Sequence, residues 1–401
     1  MTSVSVLKLL LSTTIITLAG IPVVTAASFL AQSASATTDL MTNTTLVGEE
    51  ESVSTTDTNT NSDNDKDVSS ALLGPLFSFG EGEDIESDVN PINETYIVVS
   101  YSGNRIIVPP NTTGVALNAT ETGNFTINTQ PNGLSLNQGQ ALIMAEDAAS
   151  EEDENATITF VLLTRTHPNG SGSGTGVTYF STNSTGLLAF LDNTVAIAQV
   201  EYSPGEGVNR FAEWEWKGGT LPFEDGESSA AATTTNNNVS SALLGRPFMN
   251  VDFETASVNA INDTFIEIET VNGIKLMPPN ATAGTTINAT ETTNTTIDIL
   301  PNGLDIDKGQ SLIVTEKGDD EGATQQENAT TTFMDISHTN PDGSGTGTGV
   351  VFFHTNSTGQ LAFLDNMVGI NDSEFSERSG TIRVWEWKGG TLPFMSLLPQ
   401  S

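Results

Sequence analysis

The chain has 401 residues and no cysteine, and its 50 Asp and Glu outweigh 13 Lys and Arg to give a formal charge of -37. That balance excludes nucleic-acid binding, which needs cationic side chains to displace counterions, and an anionic membrane surface would repel the chain. Without thiols there are no disulfides, thiolate zinc sites or cysteine catalysis, so stability must come from core burial, bound ions or glycans.

In chain order, residues 1–26 read as an export signal. Lys8 gives a weakly positive start, Leu9 to Ala19 is an apolar run broken only by Ser and Thr, and Val24-Thr25-Ala26 and Ala34-Ser35-Ala36 are small-residue cleavage candidates. The alternative is an uncleaved anchor, because Leu9–Ala27 is nearly long enough to span a bilayer; Pro22 and the small residues after it favour cleavage. Residues 27–68 are rich in Thr, Ser, Asn and acids and hold too few apolar residues to fold, so they read as a linker.

A duplication follows. Ser69-Ser70-Ala71-Leu72-Leu73-Gly74 recurs from Ser240 to Gly245, and Asn118–Thr122 recurs from Asn288. Pro131-Asn132-Gly133-Leu134 recurs from Pro301, Thr182–Gly186 from Thr355, and Leu188–Asn193 from Leu361. Trp214-Glu215-Trp216-Lys217-Gly218-Gly219-Thr220-Leu221-Pro222-Phe223 recurs unchanged from Trp385 to Phe394. Repeats of this length are whole domains rather than solenoid units. We therefore place one copy at 69–223, a flexible joint at 224–239, the second copy at 240–394 and a tail at 395–401.

Within each copy the hydrophobic period is two. Ile266 and Ile268 alternate with Phe265, Glu267 and Glu269, and Asn272-Gly273 then reads as a hairpin turn, with Gly103-Asn104 at the same point of copy 1. Further strands are expected at Phe125–Thr129, Ala141–Ala145, Thr157–Thr164, Val177–Ser181, Leu187–Leu191, Val195–Tyr202 and Phe211–Trp216. About nine strands per copy, with no useful helical stripe outside the signal, give an all-β protein: two tandem antiparallel β-sandwich or small β-barrel domains after a signal segment.

Several elements carry chemistry. Alternation puts Trp214 and Trp216 on one strand face, and Trp385 and Trp387 likewise, where paired rings could stack on sugars or cations. Glu213, Glu215 and Lys217 on the other face look solvated, so inward tryptophans filling a core are the simpler expectation. Gly170, Gly172, Gly174 and Gly176, matched by Gly343, Gly345, Gly347 and Gly349, read as a flexible hairpin loop and lack the spacing of a dinucleotide fingerprint. Calcium is the one cofactor the sequence suggests: Asn340, Asp342 and Ser344 offer hard oxygens in one loop, to which Asp305 and Asp307 could add.

Asp192-Asn193 and Asp365-Asn366 follow apolar runs as turn residues. His167 and His338 hold the same strand end in the two copies, and hairpin pairing would not set His338 opposite His354, so no histidine zinc site is expected. No nucleophile elbow, phosphate loop or metalloprotease helix is present.

Sequons are dense. Asn93, Asn111, Asn118, Asn124, Asn155 and Asn183 stand in copy 1, and Asn262, Asn280, Asn288, Asn294, Asn328 and Asn356 in copy 2; Asn43, Asn169, Asn238 and Asn371 also fit the pattern. Thr in strands and Asn in turns create some sequons by chance. Acidic charge, absent cysteine, Thr/Asn richness and these sequons together resemble archaeal secreted and S-layer-type surface glycoproteins. The resemblance is one of composition over the whole chain and carries no functional residues.

Two functions follow as expectations. One is a non-enzymatic extracellular or cell-surface glycoprotein with a structural, adhesive, glycan-binding or cation-binding role, whose partners are surface glycans or other surface proteins. The other is a secreted carbohydrate-active hydrolase or small-barrel isomerase using loop acids such as Asp192 and Asp365. A deep pocket with converging carboxylates would favour the enzyme, and a filled core the module.

Overall fold

The structure is a computed structural model that describes residues 72–82, 86–110, 116–145, 154–167, 171–203, 208–218, 243–262, 264–279, 285–316, 326–376 and 379–389. The export segment, the linker and the joint lie outside the described residues. Copy 1 forms β1 (Leu73–Gly82), β2 (Glu86–Pro91), β3 (Tyr96–Ile107), β4 (Leu117–Thr129), β5 (Leu134–Ala145), β6 (Glu154–Thr166), β7 (Gly172–Ser181), β8 (Val195–Ser203) and β9 (Val208–Trp216). Copy 2 forms β10 (Leu244–Asn262), β11 (Phe265–Leu276), β12 (Ile287–Ile299), β13 (Leu304–Thr315), β14 (Asn328–Thr339), β15 (Ser344–His354), β16 (Val368–Ser376) and β17 (Ser379–Trp387).

Each copy is a closed antiparallel barrel of eight strands in up-and-down order. Copy 2 closes where β10 pairs both β11 and β17; copy 1 closes where β1 pairs β9 and, through Ser78–Ile107 and Phe79–Ile106, β3. The single long β10 takes the place that β1 and β2 share in copy 1. Between sandwich and barrel, the structure is a barrel. Closure pairs the first and last barrel strands, leaving β2 and the Thr255–Asn262 half of β10 paired on one side only.

The sequence expectations differ from the structure at several places. Asn272-Gly273 and Gly103-Asn104 are not turns: β11 pairs β12 without a break from Phe265 to Leu276, and β3 pairs β4 from Tyr96 to Ile107. The inner-face series Ile268, Thr270, Asn272, Ile274 stays in phase through the dipeptide, and the Asn272 amide donates to Thr270 Oγ1 at 3.1 Å instead of closing a turn. The turns that exist include Gln130-Pro131-Asn132-Gly133 and its repeat. There Gly133 and Gly303 take φ of 81° and 83°, which side chains rarely adopt, and the Asn132 side chain caps the Leu134 N–H at 3.1 Å.

Leu187–Leu191 is not a strand. It holds a 3-10 turn, Ala189–Leu191, whose repeat is Ala362–Leu364. Leu188 and Leu191, three residues apart, are fully buried in the end of barrel 1. The recurring Thr182–Gly186 motif builds this plug. Glu154 accepts from Ser184 Oγ at 2.5 Å and from the Leu187 and Leu188 N–H groups at 2.8 and 2.7 Å, and Glu327 does the same for Gln360 and Leu361. Asn193 and Asn366 end the turns at φ of 57° and 58°, which Asn tolerates.

Most of the glycine ladder is strand rather than loop; Gly343 keeps the β14–β15 turn, at φ of 83°, and Gly170 lies outside the described residues. By register with Thr166, Thr164 and Leu162, Gly172, Gly174 and Gly176 lie on the inner face of β7, and Gly345, Gly347 and Gly349 lie on that of β15. The walls press so close that a Cβ on Gly176 would stand 1.9 Å from the Val161 carbonyl oxygen. A side chain there is sterically excluded.

The tryptophans are buried, as expected of core residues, but they point out of their own barrels. Leu134, Leu163, Val177, Ile197, Trp214 and Trp216 of barrel 1 join Leu304, Ile336, Val350, Ile370, Trp385 and Trp387 of barrel 2 in one cluster. Trp214 meets Trp387 edge-on at 5.9 Å, and Trp216 meets Trp385 at 5.7 Å. Each contact is the other with the copies exchanged, the pattern of a two-fold interface. The Gln199 amide donates to the Gly389 carbonyl at 2.6 Å, and Trp216 Nε1 reaches Asp372 Oδ1 at 3.5 Å, across the same seam. Glu213, expected in solvent, is instead inside barrel 1 at 3 % exposure, because the face opposite the tryptophans is the barrel interior.

Candidate functional site

The two ends of barrel 1 are filled differently. At the plugged end Phe77, Phe180, Ile107, Leu117, Ile143 and Leu188 pack into one cluster. Toward the other end small residues such as Gly103 and Ala198 leave space. The result is a cavity of about 600 Å³, within the range of small-molecule sites. Its walls include Val99, Phe125, Ile127, Phe160, Leu162 and Phe211. Tyr202 stands at the mouth with its hydroxyl on Thr166 and its ring against the inner side of Gly172.

The floor is polar. Arg105, 4 % exposed, donates through Nε to Glu121 Oε2 at 2.7 Å and through Nη1 to Glu213 Oε2 at 2.9 Å and Ser78 Oγ at 3.0 Å; Nη2 closes the pair with Glu121. Thr178 donates to the other Glu213 oxygen at 3.0 Å, and the Tyr101 hydroxyl donates to Glu121 Oε1. Phe211 lies 4.9 Å from the guanidinium carbon. Burial alone would lower the guanidinium, but Glu121 and Glu213 outweigh it and hold Arg105 charged. Burial and the Glu121 carboxylate push the Tyr101 phenol up, so its proton stays on the hydroxyl. With one cation between two carboxylates, the floor is a net hydrogen-bond acceptor.

Barrel 2 reverses this chemistry. Counting from the closing pairs Ile107–Leu117 and Leu276–Ile287, Ile274 occupies the place of Arg105, while Val384 takes that of Glu213. Glu291 keeps the place of Glu121 but loses its cation; it is 6 % exposed, and burial pushes its carboxyl up to about 7. Where barrel 1 has Asn137, Leu162 and Ala198, barrel 2 has Asp307, Asp335 and Asn371. Burial raises Asp335 to about 8, helped by Asp307, and raises Asp307 to about 7, with Ser337 donating against the shift at 2.9 Å. Among the described residues no three or more His, Asp and Glu side chains stand close enough to ligate a metal by themselves.

No family model, curated protein or solved structure matches this chain.

The residues singled out from sequence are scattered by the fold. Trp214, Trp216, Trp385 and Trp387 are 1–5 % exposed and cover one another's faces, leaving none open to a sugar ring. Asn340, Asp342 and Ser344 form an exposed β14–β15 turn satisfied within itself: Ser344 donates to Asp342 Oδ1 through N at 3.0 Å and Oγ at 2.6 Å. Asp305 and Asp307 lie instead on the inner face of β13, where Thr339 donates to Asp305 at 2.8 Å. Asp365 pairs with His354 at 3.1 Å on the surface, and His338 lies opposite Thr346 rather than His354. A second cavity, about 400 Å³, opens between the barrels beside Arg165, Phe352 and Trp387.

Of the sequons, Asn93, Asn118, Asn124, Asn155, Asn183, Asn262, Asn288, Asn294, Asn328 and Asn356 are exposed. Asn371 is closed inside barrel 2 and cannot take a glycan, and Asn111 and Asn280 lie outside the described residues. Sequence reasoning missed Arg105, Glu121 and Asp335 as site residues, took Glu213 as solvated and took Asn371 as a sequon. The one available signal was polarity on the inner phase of an alternating strand, as at Arg105 between Gly103 and Ile107.

Proposed function

We propose that the chain is an extracellular or cell-surface glycoprotein whose first barrel binds a neutral, largely apolar small molecule. The cavity carries this reading: apolar walls around about 600 Å³, over a floor that accepts hydrogen bonds. A hydroxyl-bearing ligand suits that floor, and an anion does not, because two carboxylates already surround the single guanidinium. Exposed sequons on the outer faces of β4 and β12 fit glycan display away from the tryptophan seam. Surface glycans or other surface proteins remain the proposed partners.

A second reading, a small-barrel isomerase or hydrolase, is favoured by one observation: Glu121 and Glu213 converge in a deep pocket, with the Tyr101 proton beside them. Both carboxylates are committed to Arg105, which suits an anchor better than a mobile acid and base.

The test is titration with N-phenyl-1-naphthylamine, a neutral apolar fluorophore. We expect one saturable site per chain, weakened at least tenfold by Leu162→Trp, which fills the cavity, while circular dichroism is unchanged. Binding that never saturates, or that ignores Leu162→Trp, contradicts the ligand reading. Turnover of a bound hydroxyl compound that is lost in Glu121→Gln would favour the enzyme.

A further inference from the structure

Barrel 2 has its own unfilled valences. Asp307 and Asp335 are direct register partners on β13 and β14 and share the inner face. Asn371, on β16, donates through Nδ2 to both Asp335 oxygens at 3.0 Å. This fixes the amide, and its carbonyl is left over: Asn371 is 5 % exposed, and its Oδ1 has no hydrogen-bond partner. Asp307 Oδ1 is likewise shielded from solvent and unpartnered. Asn371 Oδ1 and Asp335 Oδ1 reach over the same bare glycine, since a Cβ on Gly349 would stand 2.6 Å from the first and 1.6 Å from the second. Buried oxygens without partners are rare in folded proteins and call for an ion or a water.

We propose that barrel 2 binds one hard divalent cation of the calcium class between Asp307 and Asp335, with Asn371 Oδ1 as a neutral ligand. The donors are all oxygen, two charged and one carbonyl, as such cations take, and water completes the shell. Among the described residues no cationic side chain faces Asp307 or Asp335. Lys308, the nearest in sequence, faces outward to Asp298 at 2.6 Å, and Ile274 stands where barrel 1 has its guanidinium. Barrel 1 cannot hold the same ion, because its equivalent positions are Asn137, Leu162 and Ala198. Two carboxylates place the affinity at the weak end, with a Kd on the order of 10⁻⁴–10⁻³ M. The site differs from the sequence expectation, which drew Asp307 toward the surface turn at Asn340–Ser344.

The experiment uses the full chain, stripped with EDTA and held in 0.5 M NaCl so that surface charge is screened. Calcium chloride is titrated by calorimetry, and melting is followed with and without the ion. We expect one ion per chain and a rise in Tm of several degrees. Asp335→Asn and Asn371→Ala should each weaken binding tenfold or more, while Glu267→Gln, on the outer face of β11, changes nothing. Calcium binding that survives both inner-face substitutions overturns the proposal, because the ion then sits on the surface. So does an unaltered chain whose melting responds to neither calcium nor EDTA, an outcome that needs no variant to fold.

Discussion

Arg105 and Ile274 show how one side chain sets the chemistry of a barrel. With the guanidinium present, Glu121 and Glu213 are buried as partners; a buried carboxylate without a partner is costly and regains its proton. Glu291 is that second case. Its value of about 7 stands above the ordinary 4.5, so the native state holds the proton more tightly than the unfolded chain. The stability this gives is complete below about pH 4.5 and is lost as pH rises through 7. Glu291→Gln removes the titration while keeping shape and polarity. Calorimetry should find its Tm above that of the parent protein at pH 8 and level with it at pH 4.5; equal Tm values at pH 8 would remove the effect.

At the scale of strands, glycines that look alike in sequence do different jobs. Gly176 faces a wall carbonyl and Gly273 faces open space. Gly176→Val should cost about 3 kcal/mol or more, since the backbone itself must move. Gly273 lies in extended β11 without a positive φ, so Gly273→Ala should stabilise by about 0.4–1 kcal/mol through the unfolded chain. Urea unfolding of the two variants distinguishes these outcomes, and equal losses would contradict the assigned wall contact. Alternation made most of these strands legible from sequence: Thr157–Thr164 and Val195–Tyr202 fall inside β6 and β8. The failures came where local signals had two meanings. Asn-Gly makes a turn after Pro131 but continues a strand at 272, where its inner phase is kept. Leu187–Leu191 has strand-like composition, but the spacing of Leu188 and Leu191 serves a plug.

At the scale of the whole molecule, what the sequence concealed was the partner of each face. Strands β6 to β9 carry apolar residues on their outer faces, among them Val161, Leu163, Val177, Ile197, Trp214 and Trp216, because the other barrel covers them. Trp214 and Trp216 therefore read as core while belonging to no single barrel. Neither did sequence show the cavity floor, whose Arg105–Glu213 contact joins residues 108 apart in the chain. The reciprocal tryptophan contacts make the seam self-complementary. The isolated segment 69–223 should accordingly pair with itself through Trp214 and Trp216. Light scattering should find a dimer that Trp214→Ala weakens, and a soluble monomer at micromolar concentration would contradict the two-fold reading.

The two interiors differ in kind, one apolar over an anchored guanidinium, the other acidic, and each would take a different class of ligand. The most direct test of that contrast is a crystal structure of the full chain grown with a brominated long-chain alcohol. The contrast predicts anomalous bromine density among Phe125, Phe160 and Leu162 of barrel 1 and none among Asp307, Asp335 and Asn371 of barrel 2; bromine in both barrels, or in neither, would contradict it.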